Sequence, residues 1–105
     1  MDMSKVFVVQ DSPGKSLLGA KNFGELRVII NNSKEQTSEI DNTQYVDIMK
    51  EKLRGFSDRD YILPIGDPSL IGLACAIAAG LNGGRFKCLK WDRREKEYYA
   101  VSFKV

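Results

Sequence analysis

Histidine is absent from this chain of 105 residues, and there are only two cysteines and one tryptophan. The lack of histidine removes the residue most used as a general base, every Ser-His or Cys-His nucleophile pair, and most transition-metal sites. Cys75 and Cys88 sit inside apolar segments with no CxxC-type spacing. Metal binding needs about four convergent ligands, so no metal and no cofactor is expected, and both thiols read as reduced core residues. A long hydrophobic run is also missing. The longest, Leu70–Leu81, would cover about 18 Å as a helix, short of the ~30 Å hydrocarbon core of a bilayer. No cationic segment leads into an apolar stretch with a small-residue cleavage site, so no signal peptide is expected. The expectation is a soluble, cytoplasmic protein with no membrane partner.

The chain does have an ordinary globular composition, 43% hydrophobic and 29% charged. Its length allows one domain, residues 1–105, with a core of modest size. The net charge of +2 is unevenly spread, because the basic residues gather after position 84, where the tryptophan also lies.

Lys5–Gln10 ("KVFVVQ") is short and β-branched and predicts a strand buried on both faces. Asp11 to Gly24 reads as a loop with one helical turn near Ser16–Ala20, followed by a strand over Glu25–Asn31. A helix is predicted from about Asn42 to Arg54, capped by Asp41 or Asn42, with Gln44 completing a capping box with Asp41. Its apolar stripe is Tyr45, Ile48, Met49 and Leu53, together with the stem of Lys52, and Gly55 stops it. A third strand is predicted over Tyr61–Ile65. Pro64 puts it at a sheet edge or ends it. The second helix, Pro68–Leu81, carries no charge. Leu70, Leu73, Ile77 and Leu81 form a large-residue stripe, and Gly72, Ala76, Ala79 and Gly80 form a small-residue side. A helix apolar all round calls for cover on both sides: with the large-residue side packed on the sheet, the small-residue side needs a cover, either the first helix or a second copy of the chain. Arg85–Trp91 and Tyr98–Val105 then close a hairpin. The order is β-β-α-β-α-β-β, which predicts an α/β domain with a mixed β-sheet, two main helices and a C-terminal β-hairpin.

Three stretches invite a functional reading. In "VVQDSPGKSLL" a strand runs into Gly14-Lys15-Ser16, like a phosphate loop. That motif needs a glycine five residues before Gly14, where a strand valine, Val9, stands instead. Asp11 would also oppose the phosphates, so a plain turn is the better reading. The second is the strand-to-helix turn Gly66, Asp67, Pro68, Ser69. Small polar ligands bind outside the carboxyl ends of strands near helix N-termini, yet Asp67 as N-cap with Pro68 at N1 explains the same residues.

The third is the hairpin. A turn at Arg93–Lys96 pairs Asp92 with Glu97, Trp91 with Tyr98, Lys90 with Tyr99, Cys88 with Val101 and Phe86 with Phe103. One face then collects Phe86, Cys88, Tyr99, Val101 and Phe103 as a core face. The other collects Arg85, Lys87, Trp91, Tyr98 and Lys104, cations beside aromatic rings, which suits a nucleic acid or a protein partner. Against this, the tip from Asp92 to Glu97 is charge-neutral, as a solvated turn would be.

Residues 60–101, "DYILPIGDPSLIGLACAIAAGLNGGRFKCLKWDRREKEYYAV", resemble a group of small uncharacterised proteins encoded by tailed phages and prophages. The features that carry the likeness are the strand-Gly-Asp-Pro-helix junction, the alanine-rich helix, the Gly-Gly-Arg return and the Lys-Trp-Asp-Arg hairpin. "FVV" and "FGELRVII" fit more loosely. The resemblance supplies no catalytic residues. It implies a phage-encoded accessory or host-takeover protein in the host cytoplasm rather than a metabolic enzyme. No paired acid and base and no activated nucleophile stands out; Asp67 alone, or Lys15 with Asp11, is too little for a mechanism. The reading is therefore a non-enzymatic interaction module, with a protein partner or itself as a homodimer. Its alternatives are nucleic-acid binding through the hairpin and a small-ligand site at Gly66, Asp67 and Ser69.

Overall fold

Four aliphatic or aromatic residues in a row, Val6 to Val9, are buried, because the strand that holds them lies inside the sheet with cover on both faces. The computed structural model describes residues 4–11, 17–31 and 42–105. The elements are β1 (Lys5–Gln10), a 3-10 segment (Leu18–Phe23), β2 (Glu25–Ile30), α1 (Asn42–Lys52), β3 (Tyr61–Leu63), α2 (Pro68–Leu81), β4 (Arg85–Asp92) and β5 (Glu97–Lys104). One five-stranded sheet has the order β2-β1-β3-β4-β5. Its first four strands are parallel and β5 is antiparallel to β4. This is the single mixed-sheet α/β domain expected.

The topology explains the layering. The path from β1 to β2 runs one way across the sheet, and the path from β2 to β3 runs back. Right-handed crossovers in opposite directions lie on opposite faces. Accordingly, α1 and α2 pack with Phe7, Val9, Ile29 and Ile62 on one face. The 3-10 segment covers Val6, Val8, Leu63 and Leu89 on the other.

Local chemistry sets the ends of the elements. β3 stops at Leu63 rather than Ile65, because Pro64 has no N–H for the ladder; the strand is central, so of the two roles foreseen for Pro64 it takes that of terminator. β2 likewise ends at Ile30, and the helical turn foreseen near Ser16–Ala20 is the 3-10 segment, centred further on. Gly55 follows α1 with φ +85°, the left-handed conformation of a C′ glycine. Within α1, Met49 and Leu53 are buried and Tyr45 is partly so, but Ile48 is exposed. The capping box proposed for Asp41 lies outside the described residues. The loop before β3 is held by Asp60, which is only 4% exposed. The Lys5 N–H donates to its Oδ1 at 3.0 Å, and the Ser57 N–H and Oγ–H donate to its Oδ2 at 2.9 and 3.2 Å. One carboxylate thus ties the starts of β1 and β3 together.

Two expectations about packing are corrected. The sheet-facing row of α2 is Leu70, Ala74 and Ala78, not the large-residue stripe; Leu81 at the end of that stripe is exposed. Residues i, i+4 and i+8 share a face, and alanines in that row let the helix backbone lie close to the strands while Ile71, Leu73 and Ile77 fill the flanks. The opposite row, Gly72, Ala76 and Gly80, faces outward, exposed among the described residues. The second correction concerns the hairpin. Among the described residues, α2 packs mainly on β1 and β4 rather than on β5, so Tyr99 and Phe103 stay 42% and 47% exposed although they point to the helix side. Among the described residues, no helix is long and apolar enough to cross a membrane.

Replacing Asp60 by alanine leaves the Lys5 and Ser57 amides without their acceptor, and the expected loss is about 2 kcal/mol. Urea unfolding followed by circular dichroism measures it, and Asp60→Asn, which keeps one acceptor oxygen, is expected to lose less.

Candidate functional site

The hairpin forms in the expected register, from Arg85 opposite Lys104 through Trp91 opposite Tyr98 to Asp92 opposite Glu97. Asp92 closes the turn by accepting the Arg94 and Glu95 N–H groups at 2.9 and 3.2 Å. Alternation then puts Arg85, Lys87, Trp91, Tyr98 and Lys104 on one face. The structure divides them into two groups. Arg85, Lys87 and Lys104 line a 350 Å³ hollow with Asp58 and Asn82 at the end of the hairpin nearest the chain terminus. Trp91 and Tyr98 lie near its turn, edge to face with ring centroids 4.9 Å apart. At about 3.3 Å per residue, Arg85 and Trp91 stand roughly 20 Å apart along β4.

The cations are partly engaged. Arg85 donates through Nε to Asp58 Oδ1 at 3.1 Å and through Nη2 to Oδ2 at 3.3 Å. Asn82 Nδ2 donates to the same Oδ1 at 2.8 Å. The Arg85 guanidinium and then the Asn82 amide hold the Asp58 carboxyl below the usual carboxylate range. Lys87 Nζ sits 4.3 Å from the centroid of the Tyr61 ring, a cation–π contact. Lys104 is exposed. Tyr98 packs into the core under the 3-10 segment, with Gly19 against its ring. Trp91 is 51% exposed.

The Gly66, Asp67, Ser69 turn stands where β1 and β3 end side by side, the point at which the chain's progress across the sheet changes direction. Asp67 caps α2: its Oδ1 accepts the Ser69 N–H at 2.8 Å and the Ser69 hydroxyl at 2.7 Å. Its own N–H donates to Gln10 Oε1 at 2.8 Å. Gly66 has φ +118°, and a Cβ there would fall 2.4 Å from Gln10 Cβ, so only glycine lets the two strand ends meet. The Ser69 hydroxyl, followed by the backbone N–H groups of Ser69 and Leu70, lowers the Asp67 pKa. Gly14, Lys15 and Ser16 lie outside the described residues. Asp11 is exposed, and its N–H donates to the Ile30 carbonyl at 3.0 Å.

Sequence reasoning missed an apolar groove of 550 Å³ between α2 and the end of β5. Cys75, Ala76, Ala79 and Gly80 form its helical wall, with Phe86 and Val105 opposite. Phe86 stacks on Phe103 at 5.3 Å, which extends the apolar surface onto β5. The small-residue spacing Gly72, Ala76, Gly80 was the available signal; that β5 would be left uncovered was not readable. Interaction with Cys75 and burial push the Cys88 thiol pKa up, so it stays protonated.

Compared with known proteins, residues 4–105 match a family model described as phage Pam3 gp32-like protein. No curated protein and no solved structure matches the chain.

The Asp67 cap has a pH signature. A carboxyl whose pKa is depressed on folding adds stability above its unfolded value and loses it as pH falls through its folded value. Asp67→Asn is therefore expected to melt lower than the wild type at neutral pH, with the gap closing below about pH 4. Thermal melts of both proteins across that range check it; a gap independent of pH would mean that the charge of Asp67 contributes nothing.

Proposed function

This chain belongs to the phage Pam3 gp32-like protein family, and we propose that it serves its phage by binding a partner rather than by catalysis. The docking surface is the apolar strip that starts at the outer row of α2, crosses the groove to Phe86 and ends on Phe103 and Val105 of the β5 side. One observation carries the reading. Gly72 lies inside α2, and among the described residues no atom beyond its own stretch of the helix comes within 4 Å of where its Cβ would be. A helix-interior glycine costs about 1 kcal/mol relative to alanine. No contact among the described residues calls for it, and a partner that approaches the bare backbone closely would account for it. The exposed rings of Tyr99 and Phe103 extend the same surface, as apolar patches at docking sites do.

The exposure of Trp91 supports a second reading, in which single-stranded nucleic acid stacks on Trp91 and its backbone follows Arg85, Lys87 and Lys104. The engagement of Arg85 with Asp58 and of Lys87 with Tyr61 weighs against it.

Gly72→Ala is expected to stabilise the isolated chain by about 0.5–1 kcal/mol. The native protein is expected to bind the dye 8-anilinonaphthalene-1-sulfonate saturably. Ala76→Glu should abolish that binding with its circular dichroism and melting temperature intact. A native chain that leaves the dye dark would sink the docking reading. For the second reading, Trp91 fluorescence is titrated with mixed-sequence single-stranded DNA. Quenching that saturates at low salt and fades toward about 0.5 M would support a phosphate contact; no quenching at either salt removes it.

A further inference from the structure

We propose that Cys75 and Cys88 are a redox-active dithiol, which a small disulfide of the glutathione class converts into an intramolecular disulfide through attack by Cys75. The reaction belongs to the free chain, whose groove is open, and does not depend on what docks there.

The fold brings the two thiols together. β3 and β4 are parallel, so α2, which connects them, runs back along β4. The Gly84 N–H donates to the Ala79 carbonyl at 2.7 Å, which sets the end of the helix against the start of the strand. Cys75 lies one turn before Ala79 on the same side of the helix and shares the groove wall with it, opposite Phe86. Phe86 and Cys88 are neighbours on the helix-facing side of β4. A helical side chain leans toward its own N-terminus, and here that direction leads from Phe86 toward Cys88. Cys75 accordingly packs against the buried cluster that contains Cys88.

Their surroundings differ. Cys88 is buried, while Cys75 is half-buried and opens onto the groove. A hydrogen bond from the Cys88 thiol lowers the Cys75 pKa, and the same contact, together with burial, raises that of Cys88. Disulfide exchange needs a thiolate and access to it. Cys75 has both and Cys88 has neither, so attack begins at Cys75.

The Cys75 thiolate attacks one sulfur of glutathione disulfide. A Cys75–glutathione bond forms, the S–S bond of the reagent breaks, and its electron pair leaves on a glutathione thiolate that takes up a proton. Cys88 then attacks the Cys75 sulfur and gives up its proton, and the second glutathione leaves as its thiol. In sum the protein loses two electrons and two protons, and one glutathione disulfide becomes two glutathiones.

Wild-type protein is incubated at neutral pH with glutathione disulfide and followed by intact mass and peptide mapping. It is expected to lose the mass of two hydrogens, with Cys75 joined to Cys88 and circular dichroism unchanged. Cys88→Ser, left without the second thiol, is expected to keep one glutathionyl group on Cys75. Cys75→Ser, folded, is expected to stay unmodified. Acid quenching of the wild-type reaction at early times traps the same Cys75 adduct, which tests the order of attack even where a serine variant does not fold. Thiols that react only in urea concentrations that unfold the chain overturn the proposal. So does a wild type that takes up glutathione without forming the Cys75–Cys88 bond. An adduct on Cys88 in folded Cys75→Ser overturns Cys75 as the attacking group.

Discussion

Burying β1 on both faces is the constraint from which the rest of this structure follows. A strand as apolar as Val6–Val9 has to lie inside a sheet and be covered above and below. The chain meets this with parallel neighbours on either side, and its crossovers then place helices on one face and the 3-10 segment on the other. The Asp60 carboxylate ties the start of β1 to the loop that leads into β3, beside the direct pairing of the two strands. Two helices, however, suffice to cover only part of a five-stranded sheet. They are spent over β1, β2 and β4, and β5 extends past them.

That shortfall shapes the surface where binding is proposed. As built, the helix sits close to the sheet on Ala74 and Ala78, its glycine side faces away, and Tyr99 and Phe103 of the last strand stay partly exposed. The basic residues of the hairpin are distributed in a different manner. Arg85 is drawn to Asp58 and Lys87 to Tyr61, while Trp91 stands apart near the turn. Alternation puts these residues on one face, but the length of β4 separates them into a charged end and an aromatic end.

How much of this was legible in the sequence varied from element to element. The hairpin register was legible once a four-residue turn at Arg93–Lys96 was assumed, and the structure has that register; a one-residue slip would have exchanged the two faces. The Asp67 cap was legible because Asp-Pro-Ser before an apolar helix has one economical geometry. The orientation of α2 was not. A helix without a charged residue carries little mark for its outer side, so size alone suggested that the large residues faced the sheet, when close packing selected Leu70, Ala74 and Ala78. The exposure of Tyr99 and Phe103 was hidden for a related reason, since their alternation is that of core residues wherever a helix happens to reach.

By itself the sequence determined the α/β order, the doubly buried first strand, the hairpin itself and the cap of α2. Each of these follows from local chemistry: β-branching, alternation, turn residues and side-chain acceptors near a helix start. The tertiary structure alone decided which row of α2 faces the sheet, that β5 lies beyond the helices, and that Arg85 and Lys87 are held by Asp58 and Tyr61. Those outcomes depend on how close a helix can approach the sheet and how far it extends across it, distances between elements remote in the chain that no local pattern records.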